Sequence, residues 1–484
     1  MNKAELLALL PLIIPAAASV VVMIAIAVSR RHTLTALFTP AGLAAAFFSL
    51  FAVSEVTPRN ATSLLIIDNY ALFYLGLIFA AGFAVAVLSH GYMEGREGTH
   101  EEYYMLLLLA TLGASVLVCS SHFASFFLGF EILSVSLYAL IAYTRAAARS
   151  NEAGVKYLIL AAVSSSFLLF GMALVYAQLG TMEFAEISRR AAQGSAAAGG
   201  HDLLLLAGLI MITVGVGFKL AVVPFHMWTP DVYEGAPAPV SAFIASVSKG
   251  AMFALLLRYF TLVDIRSFGP LFLVFTGIAI ASMFAGNLLA LLQDNVKRLL
   301  AYSSIAHLGY LLVAFLASGA LAVTAVSYYL TAYFITILGA FGVVTVLSGK
   351  ERDMDGLEEY RGLARRRPWL AGVFTAMLLS LAGIPLTAGF IGKFYVVTAG
   401  VGSALWLLVI ILAVNSAIGI YYYLRIVVAL YACEPGEKAA AISAPQLSLG
   451  GGIVMAALTL MLVWFGVYPS PLIRVIEATV VSLR

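Results

Sequence analysis

Four ionisable side chains stand inside apolar runs where a charge is costly. Glu131 is embedded in Phe126-Phe127-Leu128-Gly129-Phe130-Glu131-Ile132-Leu133, and Lys219 precedes Leu220-Ala221-Val222-Val223-Pro224. Lys249 is flanked by the uncharged runs 244–248 and 250–257, and Lys393 follows Gly383-Ile384-Pro385. Each charge costs about 2.5–3.5 kcal/mol at the centre of a membrane helix, so four left unpaired in lipid would cost on the order of 10 kcal/mol. They must therefore face one another, water or protein. Side chains of these types carry protons. A lysine in water keeps its proton to pH about 10.4, desolvation loosens that hold, and a nearby carboxylate restores it, so moving one charge relative to the other makes a proton switch. The simpler readings are a lysine snorkelling to the interface or a salt bridge that only staples two helices. Snorkelling suits Lys393 better than Lys249, which has no charged neighbour within half a bilayer thickness.

Two histidines extend the set: His226, just after Pro224, and His307, in the apolar run Ile305-Ala306-His307-Leu308. A neutral imidazole relays protons near physiological pH, and a hydrogen-bonded packing histidine is the equal alternative at both positions. Ser164, Ser165, Ser166, Tyr302 and Tyr333 offer hydroxyls for water wires, although helix packing accounts for them more simply. No GxGxxG after a strand, no GxxxxGK[ST], no HExxH and no cysteine cluster is present. The two cysteines, Cys119 and Cys433, lie far apart without metal-ligand spacing. Nothing in the chain points to a nucleotide, flavin, haem or metal site, so any redox chemistry belongs to another polypeptide.

The elements that position these residues follow from composition. Apolar residues make up 62% of the 484 and charged ones 11%, far from the values of a water-soluble domain. The net charge of +3 is small and scattered, which argues against a nucleic-acid partner; the partner is the lipid bilayer. Apolar stretches of about twenty residues, each able to cross the hydrocarbon as a helix, number about fourteen. The first is expected over Leu6 to Val28, which is span length rather than signal-peptide length. The seventh is expected over Leu203 to Val223, the eighth over Val240 to Leu262 and the twelfth over Trp369 to Val397. The fold class is thus an all-α polytopic membrane protein.

Lys and Arg concentrate in loops after odd-numbered spans, including Arg30, Arg31, Arg145, Arg149, Lys156, Lys297, Arg298 and Arg365 to Arg367. Few follow even-numbered ones: Arg59, Arg189, Arg190 and Arg266. By the positive-inside rule the odd loops are cytoplasmic and both termini lie on the outer side of a bacterial inner membrane. Nearly all of these residues are expected to set topology and nothing more. Pro224 and Pro385 interrupt spans seven and twelve, predicting broken helices. They lie five spans apart, and five is odd, so two five-span units would enter the membrane in opposite orientations. The expected division is 1–102 as a three-helix segment, 103–262 and 263–433 as two inverted five-helix repeats, and 434–484 carrying span fourteen.

Three motifs are specific enough to name a family. Phe218-Lys219-x4-Pro224-Phe225-His226-x-Trp228-x-Pro230-Asp231-Val232-Tyr233-Glu234-Gly235-Ala236-Pro237 resembles the subunit N family of proton-pumping NADH:quinone oxidoreductase, respiratory complex I. The runs 294–307 and 381–395 are similar to motifs shared across its antiporter-like subunits. The resemblance implies fourteen helices in two inverted units, with an essential glutamate at Glu131, a central lysine at Lys219, a connecting lysine at Lys249 and an exit-side lysine at Lys393. It implies no cofactor in this chain, with NAD, FMN, iron–sulfur clusters and quinone in partner subunits. Subunit M and small subunits such as K and J are the expected neighbours. The related subunit L carries a long C-terminal lateral helix not expected here, and subunit M has a glutamate where this chain has Lys393. Mrp cation/proton antiporters, working without a redox partner, are the alternative, and Pro-Asp-Val-Tyr-Glu-Gly argues against them. Ala238 departs from a threonine found in many members.

Overall fold

The computed structural model describes residues 3–94, 96–198, 203–263, 265–432 and 448–482. In hydrocarbon every backbone N–H and C=O must find its partner within the segment, so apolar runs of this length fold as helices. Thirteen helices among the described residues are long and apolar enough to cross a membrane. The first eleven are α1 (Leu10–Val28), α2 (His32–Val53), α3 (Asn69–Glu94), α4 (Glu101–Cys119), α5 (Phe123–Ile141), α6 (Ala148–Leu179), α7 (Leu203–Leu220), α8 (Ala238–Leu262), α9 (Gly269–Leu291), α10 (Val296–Ala317) and α11 (Gly319–Leu347). The expected twelfth span is two shorter apolar helices, α12 (Pro368–Ala382) and α13 (Ala388–Gly402), followed by α14 (Trp406–Tyr431) and α15 (Leu449–Val467). Counting the broken pair as one crossing gives the fourteen expected. Cys433 and the boundary between 433 and 434 lie outside the described residues.

Helices α8, α10 and α11 are almost wholly buried, whereas α1, α6, α14 and α15 leave most of their surface outward. The first group forms the core, and it carries Lys249 and His307. Helix α11 packs against α3, α12, α13 and α15, and α10 against α9 and α13. Close approach comes from small residues, as membrane helix packing requires. A Cβ added at Gly113 of α4 would stand 2.5 Å from the Leu133 nitrogen of α5, so α4 and α5 touch backbone to backbone beside Glu131.

Both expected breaks are present. Helix α7 ends at Leu220, three residues before the expected boundary, because Ala221 turns into the left-handed region at φ 60°. A short helix, Trp228–Gly235, follows, and the Phe218 carbonyl at the break accepts from both the Ala221 N–H at 2.9 Å and the Trp228 indole N–H at 3.0 Å. Helix α12 ends on Gly383 at φ 84°, a conformation glycine adopts without penalty. Thr387 then caps α13 by accepting from the Phe390 N–H.

Two local features depart from expectation. The first span is preceded by a separate short helix, Lys3–Ala8, instead of running unbroken from Leu6. Helix α8 contains a π-helical turn, Ile244–Ser248, directly before Lys249; such turns concentrate at functional sites. Residues Arg59–Asn60 (β1) and Ile66–Ile67 (β2) pair as a small antiparallel ribbon in the loop between α2 and α3.

Candidate functional site

The breaks in α7 and α12 bring polar groups into the bundle. Lys219, in the last turn of α7, is 1% exposed and reaches α5 and α6. Its Nζ donates to Ser134 Oγ at 2.9 Å and to the Tyr157 hydroxyl at 3.0 Å, and it stands 5.0 Å from the Phe130 ring centroid. Glu131, one turn before Ser134, accepts from Ser165 Oγ at 2.5 Å. Glu131 and Lys219 thus bond to different hydroxyls and form no ion pair within 4.0 Å. One of the three serines singled out above is therefore a partner of the glutamate. Ser164 and Ser166 instead donate to backbone carbonyls, which is packing.

Lys249 is also 1% exposed. It donates to Ser304 Oγ at 2.7 Å and lies 5.3 Å from the Tyr233 ring centroid. On the same helix as Ser304, Ser303 shares a 2.5 Å hydrogen bond with the Tyr423 hydroxyl. Tyr423 meets His307 Nε2 at 3.1 Å, and His307 Nδ1 meets the Tyr329 hydroxyl at 2.6 Å. His307 is therefore hydrogen-bonded at both ring nitrogens. Lys393 donates to the Ala382 carbonyl and to Ser416 Oγ, both at 2.8 Å. Its ammonium sits at the C-terminus of the half-helix α12, where backbone carbonyls are unpaired and the helix dipole favours a cation. His226 is buried in the first break with Nδ1 lacking a partner among the described residues, and it does not join the hydroxyl chain of His307.

Other buried charges escaped the sequence reading. Arg258, near the end of α8, makes a two-pronged pair with Asp68 at 2.8 Å on each arm, the two residues being 4% and 1% exposed. Lys297, expected only to mark topology, is buried at the start of α10. It donates to Asp353 at 2.7 Å and to the carbonyls of Glu234 and Ala236. Asp353 also accepts from Arg96 at 2.7 Å. Burial opposes ionisation of Asp353, but Lys297 and Arg96 outweigh it and hold the carboxyl below its usual range. No signal local to Arg258 or Lys297 reveals this, since Asp68 and Asp353 lie 190 and 56 residues away.

The same contacts explain the motifs. Asp231 pairs with Lys156 and Arg298, each at 2.8 Å, and Glu234 pairs with Arg298 at 2.8 Å and Arg149 at 3.2 Å. Burial raises the Asp231 carboxyl, and the bonds from Lys156 and Arg298 bring it below the ordinary range. A Cβ at Gly235 would stand 2.5 Å from the Arg149 carbonyl. Asn295 caps α10 and donates to Asp355 at 2.8 Å. The acidic residues thus clamp the Trp228–Gly235 helix between α6 and α10, holding Tyr233 against Lys249. Among the described residues, no three His, Cys, Asp or Glu side chains converge to hold a metal ion.

Fold and site together define a polytopic membrane protein built around the buried, protonatable side chains of Lys219, Lys249, His307 and Lys393, with Glu131 only partly buried beside them. The family described as "NADH:quinone oxidoreductase/Mrp antiporter, TM" matches residues 120–419, and the chain belongs to it. A curated relative from Nitrosospira multiformis, named NADH-quinone oxidoreductase subunit N, is 56% identical over 98% of this chain and 96% of its own length. A chain of respiratory complex I from Thermus thermophilus with bound aureothin superposes with a TM-score of 0.82 at 30% identity, covering 97% of this chain and 99% of that one. A chain of the Mrp complex from Dietzia sp. gives a TM-score of 0.86 at 19% identity, over 100% of this chain and 98% of that one. At that identity the likeness is one of fold.

Proposed function

We propose that this chain moves protons across the membrane as subunit N of an NADH-quinone oxidoreductase, with Glu131, Lys219, Lys249, His307 and Lys393 as the carriers. One observation supports this most. Lys219, Lys249 and Lys393 are bonded to hydroxyls and a backbone carbonyl and have no carboxylate within 4.0 Å among the described residues, whereas Arg258 and Lys297 are neutralised by Asp68 and Asp353. The second kind of site staples helices. The first leaves a lysine whose charge is held only by dipoles, with no carboxylate partner to staple it in place.

In this reading Glu131 biases Lys219. A carboxylate brought toward the lysine favours its charged form, and drawing it away releases the proton toward Lys249, then His307, then Lys393. His226, bonded to no carrier, stands beside the path. The electrons pass from NADH to quinone through FMN and iron–sulfur clusters in partner subunits; subunit M and small subunits such as K and J adjoin this chain. The two broken helices support a division into inverted repeats over 103–262 and 263–433. The lysine and arginine distribution supports an inner-membrane orientation with both termini outside.

The decisive experiment is NADH-driven acidification of inverted membrane vesicles carrying Lys219→Ala in an assembled complex. The expected result is a loss of about tenfold or more in pumping and quinone turnover together, a barrier increase of about 1.4 kcal/mol or more. Wild-type acidification overturns the role of Lys219. The family's description joins these oxidoreductase subunits with Mrp antiporters, which makes an antiporter the second reading, and purification separates the two. A redox complex brings flavin and iron–sulfur absorbance with this chain, and an antiporter brings neither.

A further inference from the structure

Lys249 and His307 lie close in the core, yet the hydrogen bonds described above do not join them. Lys249 stops at Ser304, while the chain through His307 stops at Ser303. Adjacent positions on a helix point about 100° apart, so the two serines face different neighbours. Tyr333, on α11, stands in that gap. Its ring packs on His307 with centroids 5.4 Å apart, and its hydroxyl is within electrostatic reach of the Ser304 hydroxyl. The residue is 3% exposed, and its hydroxyl forms no well-aligned hydrogen bond among the described residues. Beside it lies a cavity of about 10 Å³ lined by His307, Tyr329, Ala332, Tyr333, Thr336 and Ser380. That volume is at the lower limit for one water, and although Ala332 and Leu381 make much of the lining apolar, the His307 ring and the Tyr329 and Tyr333 side chains beside it offer such a water polar partners. A buried hydroxyl without a partner is unfavourable, and a bridging water removes the penalty.

Building on the proton-carrying reading above, we propose that this cavity is a water site and that Tyr333, through that water, is the relay residue between Lys249 and His307. Lys249 Nζ gives a proton to Ser304 Oγ as the Ser304 hydroxyl proton passes to the Tyr333 oxygen. The Tyr333 phenolic proton passes to the water, a water proton to the Tyr329 hydroxyl, and the Tyr329 proton to His307 Nδ1. Every intermediate group gains one proton and loses one. The net change is one proton moved, leaving Lys249 neutral and His307 cationic.

The test compares Tyr333→Phe, Ala332→Val and Lys249→Ala in assembled complex, measuring NADH-driven acidification in H2O and D2O. Tyr333→Phe keeps the ring and removes the hydroxyl; Ala332→Val fills the cavity and keeps the tyrosine. Both are expected to lose about fivefold or more in acidification and to show a larger solvent isotope effect than wild type, because proton transfer becomes rate-limiting. A packing defect alone leaves the isotope effect unchanged, and that result overturns the relay. Wild-type rates in both variants with Lys249→Ala inactive overturn the relay and leave the proton-carrying reading standing. Loss in Tyr333→Phe alone overturns the water site. Full activity in Lys249→Ala overturns the reading on which the proposal rests.

Discussion

A lysine buried against a carboxylate and one buried against hydroxyls answer differently to substitution. Asp353→Ala leaves Lys297, itself 1% exposed, as an uncompensated buried charge, and should cost about 3–5 kcal/mol. The check is a lower thermal unfolding midpoint in detergent. Lys249→Met replaces a cation without a carboxylate partner by an apolar chain of similar length, so the midpoint should hold or rise while acidification is lost. The pH dependence separates them further. The Asp353 carboxyl is held below its ordinary value in the folded chain by Lys297 and Arg96, against burial. Its contribution is therefore complete above the unfolded carboxylate value and fades as pH falls below about 4. The wild-type midpoint should drop in that window more steeply than that of Asp353→Asn. At this scale Glu131, Lys219, Lys249 and Lys393 were legible because a charge in an apolar run is rare. Ser134, Tyr157, Ser304 and Tyr423 were not, because hydroxyls are common in membrane helices and only contact distinguishes a partner from packing.

Helices decide how near those groups come. Glu131 stands two residues beyond Gly129, and a Cβ at Gly129 would fall 2.9 Å from the Leu117 nitrogen of α4. Gly113→Leu should force α4 away from α5, costing about 1–3 kcal/mol or more by overpacking and shifting Glu131 relative to Ser165. Reduced chain levels in membranes and slower quinone turnover are the measurements. The proline breaks were readable from Pro224 and Pro385, since a missing N–H and a ring clash are local properties. The residues that end the helices, Ala221 and Gly383 with positive φ, were less so. The π-helical turn before Lys249 left no mark in Ile244-Ala245-Ser246-Val247-Ser248, because its backbone is fixed by what packs on α8. Helix α8 is buried along its length, and a Cβ added at Gly250 would meet the Phe334 ring at 2.3 Å.

The bundle as a whole has an outer layer toward lipid and a core of α8, α10 and α11 that carries Lys249 and His307. If the odd loops are cytoplasmic, Lys350→Cys should react with a membrane-impermeant maleimide in inverted vesicles and not in right-side-out ones. Ser63→Cys, in the loop between α2 and α3, should show the reverse. Both native residues are exposed and Cys119 is buried, and the second native thiol, Cys433, is replaced by serine in both variants so that only the introduced cysteine reports. By itself the sequence determined the solvent, the number of crossings, the places where helices break and the charges that need a reason to be buried. Each follows from local hydropathy, proline chemistry or the cost of a charge in hydrocarbon. Only the tertiary structure decided which charges are neutralised and which are left on hydroxyls. Arg258 and Lys249 lie nine positions apart on one helix and look alike in sequence. Asp68 comes to the first and Ser304 to the second through packing between segments distant in the chain, and that pairing separates a staple from a proposed proton carrier.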